Sequence, residues 1–152
     1  MSDWEVARRL ARVPHPYGQP EFQFFLHQVV PKEPTWAMVL RQSNQLVGMI
    51  GLTPSHERQC AELGYYGARS HWGHGLATEA AHAIVRLGIE HMRYAKLTSG
   101  YHTDNPASGR VLAKLGFKLI GLSQRPCLAE GMDKPSFDVE LLVGADSPPA
   151  RA

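Results

Sequence analysis

The chain has 152 residues, 43% of them hydrophobic and 20% charged, with a formal charge of +2. That length holds one domain with its own core, and so small a positive excess excludes the basic stripe of a nucleic-acid binder. No apolar run nears the ~20 residues that cross a bilayer, and the N-terminus lacks the apolar core of a secretory signal. Two distant cysteines, Cys60 and Cys127, fit a cytoplasmic protein with reduced thiols.

In chain order, residues 3–12 predict a short helix on which Arg8, Arg9 and Arg12 form a solvated face. Pro14, Pro16, Gly18 and Pro20 then enforce turns. A second helix is predicted over 21–29, with Phe22, Phe25, Leu26 and Val29 on one side, closed by Pro31 and Pro34. Strands follow at 35–41 and 45–52 around a Ser43-Asn44 turn. After a polar loop at 53–59 comes a third strand, 61–68, whose Gly64 and Gly67 point to a bulge.

A strong amphipathic helix spans 76–92, with Ala77, Ala80, Ala81, Ile84, Val85, Gly88 and Met92 on one broad face. A strand at 96–101 leads to a second marked helix start, where Asn105 caps and Pro106 takes the first helical position. Val111, Leu112 and Leu115 give that helix its buried face, and Gly116 ends it. Strands at 117–121 and 137–143 flank a loop at 124–136, and the tail from 144 to 152 lacks apolar anchors and is expected to be disordered. One mixed α/β domain over 1–143 results. His71 and His74 stand three apart, with His82 and His91 beyond, but no His-Glu-x-x-His or Cys-x-x-Cys pattern is present, so no metal site is expected.

The most informative segment is the turn at 69–79, Arg-Ser-His-Trp-Gly-His-Gly-Leu-Ala-Thr-Glu, between a strand and the long helix. Gly73 and Gly75 let the backbone bend so that successive N–H groups point inward. The unpaired N–H groups and positive dipole end of the helix then favour an anion such as a pyrophosphate. A P-loop would need Gly-Lys-Ser/Thr, which is missing. A dinucleotide fingerprint would need a small residue where Thr78 stands and an acidic ribose ligand that the next strand does not offer.

In this turn, and in Glu62-Leu-Gly-Tyr65 before it and Asn105-Pro-Ala-Ser108 leading to Lys114-Leu-Gly-Phe117 after it, the chain resembles the GNAT superfamily of acyl-CoA-dependent N-acyltransferases. The order and spacing resemble the branch of ribosomal-protein N-terminal acetyltransferases of the RimJ/RimL type. The resemblance implies a mixed, largely antiparallel sheet flanked by helices, with one splayed strand pair. It implies acetyl-CoA as cofactor and a primary amine, either a protein N-terminus or a small molecule, as acceptor.

By the same resemblance the pyrophosphate is held by backbone groups of Ser70, Trp72, Gly73, His74, Gly75, Leu76, Ala77 and Thr78. Tyr66, Gly67 and Ala68 would pair with the pantetheine arm like another strand, and Asn105 and Ser108 would contact its sulfur end. Asn105 is also explained as a helix cap, and Ser108 as a solvent-facing residue of the first turn. Backbone donors near the thioester carbonyl would stabilise the oxyanion. Glu62 is the candidate base, with an ion pair on the sheet face as its other reading, and Ser108 or Tyr101 could protonate the leaving thiolate. The usual Gln/Arg position of the turn falls on Ser70.

The family's opening strand and helix have no counterpart here, which leaves the strand at 35–41 as an edge. A cover by the N-terminal segment or by a second copy, as a homodimer, is expected. A non-catalytic acyl-CoA binding or sensing module on the same fold is the alternative to an enzyme.

Overall fold

The structure, a computed structural model, describes residues 2–144; the tail at 145–152 lies outside the described residues. Asp3 opens helix α1 (Trp4–Ala7) by accepting the Glu5 N–H on its carboxylate at 2.8 Å. The helix stops well short of residue 12 because the Arg8 carbonyl, which a continuing helix would need, accepts from Cys127 Sγ and Lys134 Nζ instead. Helix α2 (Gln19–Phe24) widens into a π turn at Phe25–Val29. The expected stripe is only half-buried: Phe22 and Leu26 are 44% and 38% exposed, and Phe25 and Val29 are intermediate.

Strands β1 (Thr35–Val39) and β2 (Leu46–Pro54) form the expected hairpin, with Asn44 in the left-handed region at φ 58°. Strand β3 (Cys60–Gly67) pairs with β2 in unbroken register, so the glycines of β3 make no bulge. Opposite Gly67 sits Gly48, where a Cβ would collide with the Tyr66 carbonyl, so small residues here serve close strand approach. Helix α3 (Leu76–Glu90) buries Ala81, Ile84, Val85 and Gly88 against Leu52 and Leu97. Each fully buried leucine of this layer contributes ~1.5–3 kcal/mol. Strand β4 (Lys96–His102) and helix α4 (Pro106–Lys114) follow, and Gly116 at φ +92° ends α4 as expected.

The greatest departure lies downstream. Residues 124–136, expected as a loop, belong to two long strands, β5 (Lys118–Cys127) and β6 (Met132–Leu142), joined by a tight turn. Their inward positions are Cys127, Lys134 and Ser136, which carry no hydrophobic alternation to read. The sheet order is β1-β2-β3-β4-β6-β5. Every neighbouring pair is antiparallel except β3–β4, a parallel pair that holds together over only three residues, Cys60–Glu62 against Lys96–Thr98. Beyond that point the two strands part.

The outer edge of β1 makes no backbone hydrogen bond among the described residues. No backbone group of the N-terminal segment among the described residues bonds to it, and Ala11 accepts from the Leu128 N–H of the β5–β6 turn instead. No helix among the described residues is long and apolar enough to cross a membrane.

Candidate cofactor and acceptor site

The parting of β3 and β4 is fixed by a side chain. Ser99, 3% exposed, donates its hydroxyl to the Leu63 carbonyl at 2.8 Å, just where the backbone ladder stops. A serine reaching sideways here caps a carbonyl that β4 no longer satisfies. Above this fork opens a cavity of about 450 Å³, within the range of small-molecule sites. Of the residues expected to form a site, Glu62, Tyr66, Gly67, Trp72, Gly73, Gly75, Leu76, Ala77, Thr78, Asn105 and Ser108 line it. Ala68, Ser70 and His74 do not.

Gly73 and Gly75 sit at φ +78° and +75°, and a Cβ on either would meet nothing within 4 Å. Glycine is required here by backbone conformation, with open space left in front. The first amide that bonds back into α3 is that of Glu79, to the Gly75 carbonyl. The amides of Gly73, His74, Gly75, Leu76, Ala77 and Thr78 have no partner among the described residues. This run is shorter than the 70–78 expected, because His71 and Trp72 donate their amides to Ala68 and Arg69 in a 3-10 turn. The Ser70 hydroxyl is held by His71 Nδ1.

On β3 the expected atoms also shift. Alternation puts the polar groups of Leu63, Tyr65 and Gly67 on the edge facing β4. Leu63's carbonyl takes Ser99, and Gly67's takes the Trp72 indole N–H at 2.8 Å. Ala68 turns the other way and donates its amide to Val47, while Tyr66 faces β2. Tyr65 is therefore the residue whose N–H and C=O are open to a strand-like ligand.

Asn105 occupies the N-cap position, yet its side chain makes no capping bond. The cap that explained this residue is missing, and its amide stands on the cavity wall uncommitted. Ser108 is not solvent-facing: its hydroxyl shares a 2.9 Å hydrogen bond with the Tyr65 hydroxyl. Burial pushes the Tyr65 phenol up to about 12, against the Ser108 bond that lowers it, and burial likewise holds Tyr66 at about 12. Both are neutral donors at physiological pH.

The Glu62 carboxylate accepts from Arg125 Nη1 at 3.1 Å, so the ion pair is its observed state. Arg125 also holds Asp138 at 2.9 Å and lies across Gly100, where a Cβ would strike the guanidinium.

The arginines expected as a solvated face are instead engaged. Arg8 reaches Asp104 and Glu130, Arg12 binds Glu33, and the Arg9 guanidinium lies 4.6 Å over the Trp72 ring. Arg9 and Leu10 line the cavity, so the N-terminal segment forms part of its wall, with Arg9 against the glycine turn at Trp72. Tyr65, Ser99, Arg9 and His102 also line the cavity, though the sequence did not single them out as site residues. Among the described residues no group of three or more His, Cys, Asp or Glu side chains is placed to hold a metal ion.

Comparisons agree with this geometry. The YoaA protein of Bacillus subtilis, described as an uncharacterized N-acetyltransferase, is 34% identical over 90 residues, covering 57% of this chain and 50% of that one. The p20 protein of Bacillus licheniformis, described likewise, is 26% identical over 88 residues, 57% of this chain and 49% of that one. The chain thus spans about half the length of the curated relatives it matches. An acetyltransferase of the GNAT family from Bacillus anthracis superposes with a TM-score of 0.79 at 20% identity, covering 93% of this chain and 83% of that one. Spermidine N-acetyltransferase from Vibrio cholerae, solved with CoA and spermine, gives 0.77 at 16% identity, with 93% and 84% covered. Ribosomal-protein-S5-alanine acetyltransferase from Vibrio fischeri gives 0.76 at 16%, with 95% and 83% covered. Residues 1–118 match the model of the acetyltransferase (GNAT) domain, and with most of its length so matched the chain belongs to the GNAT acetyltransferase family.

Proposed function

We propose that the protein binds acetyl-CoA in the fork between β3 and β4 and acetylates a primary amine, a protein N-terminus or a small molecule, by direct attack with both substrates bound. The single observation that carries this is the run of six unpartnered amides from Gly73 to Thr78 at the mouth of α3. Such a run, reinforced by the helix dipole, suits a pyrophosphate. The site fits acetyl-CoA further along as well: Tyr65 offers one open peptide edge beside the uncommitted Asn105 side chain.

Acetyl-CoA supplies an activated acetyl thioester. The protein's own part is to hold it, to exclude water from the fork, and to accept one proton from the amine. A thiolate is a good leaving group near neutral pH, since a free thiol titrates near ~8.5. The hydroxyls of Tyr65 and Ser108 therefore need only hydrogen-bond to the departing sulfur. An α-amine, with a pKa of ~8 against ~10.4 for lysine, makes the smaller demand on the base. Release of free thiol from acetyl-CoA across a panel of peptide N-termini, amino acids and polyamines tests the proposal. Turnover on at least one amine is expected; acetyl-CoA binding without turnover on any would leave a binding module.

A homodimer paired across β1 belongs to the same proposal, supported by the unpaired edge of that strand. So does a reducing, cytoplasmic setting, supported by Cys60 and Cys127, both buried free thiols.

A further inference from the structure

Five arginine and lysine side chains line the cavity: Arg9, Arg12, Arg110, Lys114 and Arg125. Two of them are already committed. Arg12 donates to both Glu33 oxygens at 3.0 and 2.9 Å, and Arg125 donates to Glu62 and Asp138 at 3.1 and 2.9 Å. Arg110 and Lys114 stand on α4. Arg69, next to the glycine turn in sequence, does not line the cavity. Arg9 is the cation that meets the turn: its guanidinium carbon lies 4.6 Å from the centre of the Trp72 ring, one residue before Gly73.

A guanidinium has five N–H donors, and among the described residues the Arg9 side chain makes no hydrogen bond with any of them. Its ionic contact is Glu5, 3.5 Å from Nη2. Nε is buried and out of a ligand's reach, but Nη1, equally without a partner, is not among the buried atoms. Contact with the indole engages the charge and uses none of these donors. The backbone beneath Arg9 is fixed by its neighbour. The Arg8 carbonyl accepts from Cys127 Sγ and Lys134 Nζ, and the Arg8 guanidinium reaches Asp104 and Glu130. A side chain carried on so firm an anchor loses little freedom on meeting a ligand.

The anion expected at the turn is a pyrophosphate diester, a dianion. The six free amides offer it hydrogen bonds, but a helix N-terminus supplies only ~0.5 of an elementary charge. A guanidinium edge supplies a full charge, with paired donors that suit phosphate oxygens.

We propose that Arg9 donates from its Nη1 side to the cofactor pyrophosphate held by the Gly73–Thr78 amides, so that the N-terminal segment and the glycine turn grip one anion. The assignment rests on the acetyl-CoA reading above.

Binding of three ligands to the wild type and to R9Q decides the matter. CoA and dephospho-CoA both carry the pyrophosphate, and S-acetylpantetheine carries no phosphate. In R9Q the Kd of CoA and that of dephospho-CoA should each rise at least about tenfold by calorimetry. The Kd of S-acetylpantetheine, read by NMR titration, should stay within about twofold. A smaller rise for CoA overturns the role of Arg9. A rise for CoA that spares dephospho-CoA would put Arg9 on the 3′-phosphate, and an equal rise for all three ligands would make it merely structural; either overturns the proposal. No binding of CoA to the wild type overturns the cofactor reading beneath it. Should R9Q fail to fold, guanidinium proton–nitrogen NMR of the wild type decides instead. The Arg9 signals should move with dephospho-CoA and stay in place with S-acetylpantetheine, and any other pattern overturns the assignment.

Discussion

The two walls of the cavity are built by opposite means. On the side proposed for the cofactor the groups on offer are main-chain: six amides freed by two glycines with positive φ, and one peptide edge of β3. Behind Leu10 and His102, which line another part of the cavity, stands a cluster of side chains gathered from distant parts of the chain. Arg8 meets Asp104 and Glu130, Lys134 meets both acids again, and the Ser136 hydroxyl lies 3.0 Å from His102 Nδ1. A backbone site depends on conformation and tolerates exchange of its side chains, so it can be shared across a family whose acceptors differ. A side-chain cluster changes with each substitution.

That contrast can be broken first at the glycines. Replacing Gly73 and Gly75 by valine places branched residues where the left-handed backbone costs ~1–2 kcal/mol per position. The acetyl-CoA Kd should rise about thirtyfold or more by calorimetry; an unchanged Kd would mean that the turn does not hold the cofactor. Next comes the fork. Ser99→Ala leaves the buried Leu63 carbonyl without its donor and should lower unfolding stability by ~1–3 kcal/mol in urea titration. A neutral result would show that the parting of the strands does not lean on Ser99.

The ion-pair cluster behind the cavity is tested by pH. Burial alone would raise the Asp104 pKa, but the 2.7 Å hydrogen bond from Lys134 and the charges of Lys134 and Arg8 outweigh it and hold the group below its ordinary value. A carboxylate lowered in the folded state stabilises it above the unfolded pKa, and the benefit disappears as pH falls through the folded pKa. The melting temperature of Asp104→Asn should therefore lie below wild type at pH 7, and the gap should close once the pH falls below ~3.9. A gap that persists in acid would place the effect in packing. The smallest effect on stability is expected for Arg9→Ala, which in the free protein loses the stacking on Trp72, ~0.5–1 kcal/mol in urea titration. A larger loss than this would show that the N-terminal segment and the cofactor turn act as one unit.

The same contrast explains what could be read in advance. Gly73 and Gly75 were legible because a positive φ selects glycine whatever the neighbours are. The β3 and β4 strands and both long helices were legible from apolar periodicity. The β5–β6 hairpin was not, because Pro126 and Pro135 look like breakers and its buried positions are Cys127, Lys134 and Ser136. A lysine is buried there only because Asp104 and Glu130, 30 and 4 residues away, meet it. His102 carries no local mark of its burial: the Ser136 hydroxyl that meets its Nδ1 lies 34 residues on. Nor does the stretch around Arg9 announce that its guanidinium stacks on Trp72.

Backbone-resolved NMR during titration with acetyl-CoA tests the central claim most directly. The amide protons of Gly73 through Thr78, together with that of Tyr65, should move downfield and become protected from exchange, while those of Ala68 and His71, already bonded within the protein, stay in place. Saturating cofactor that leaves the 73–78 amides unmoved and shifts a different surface would contradict the account.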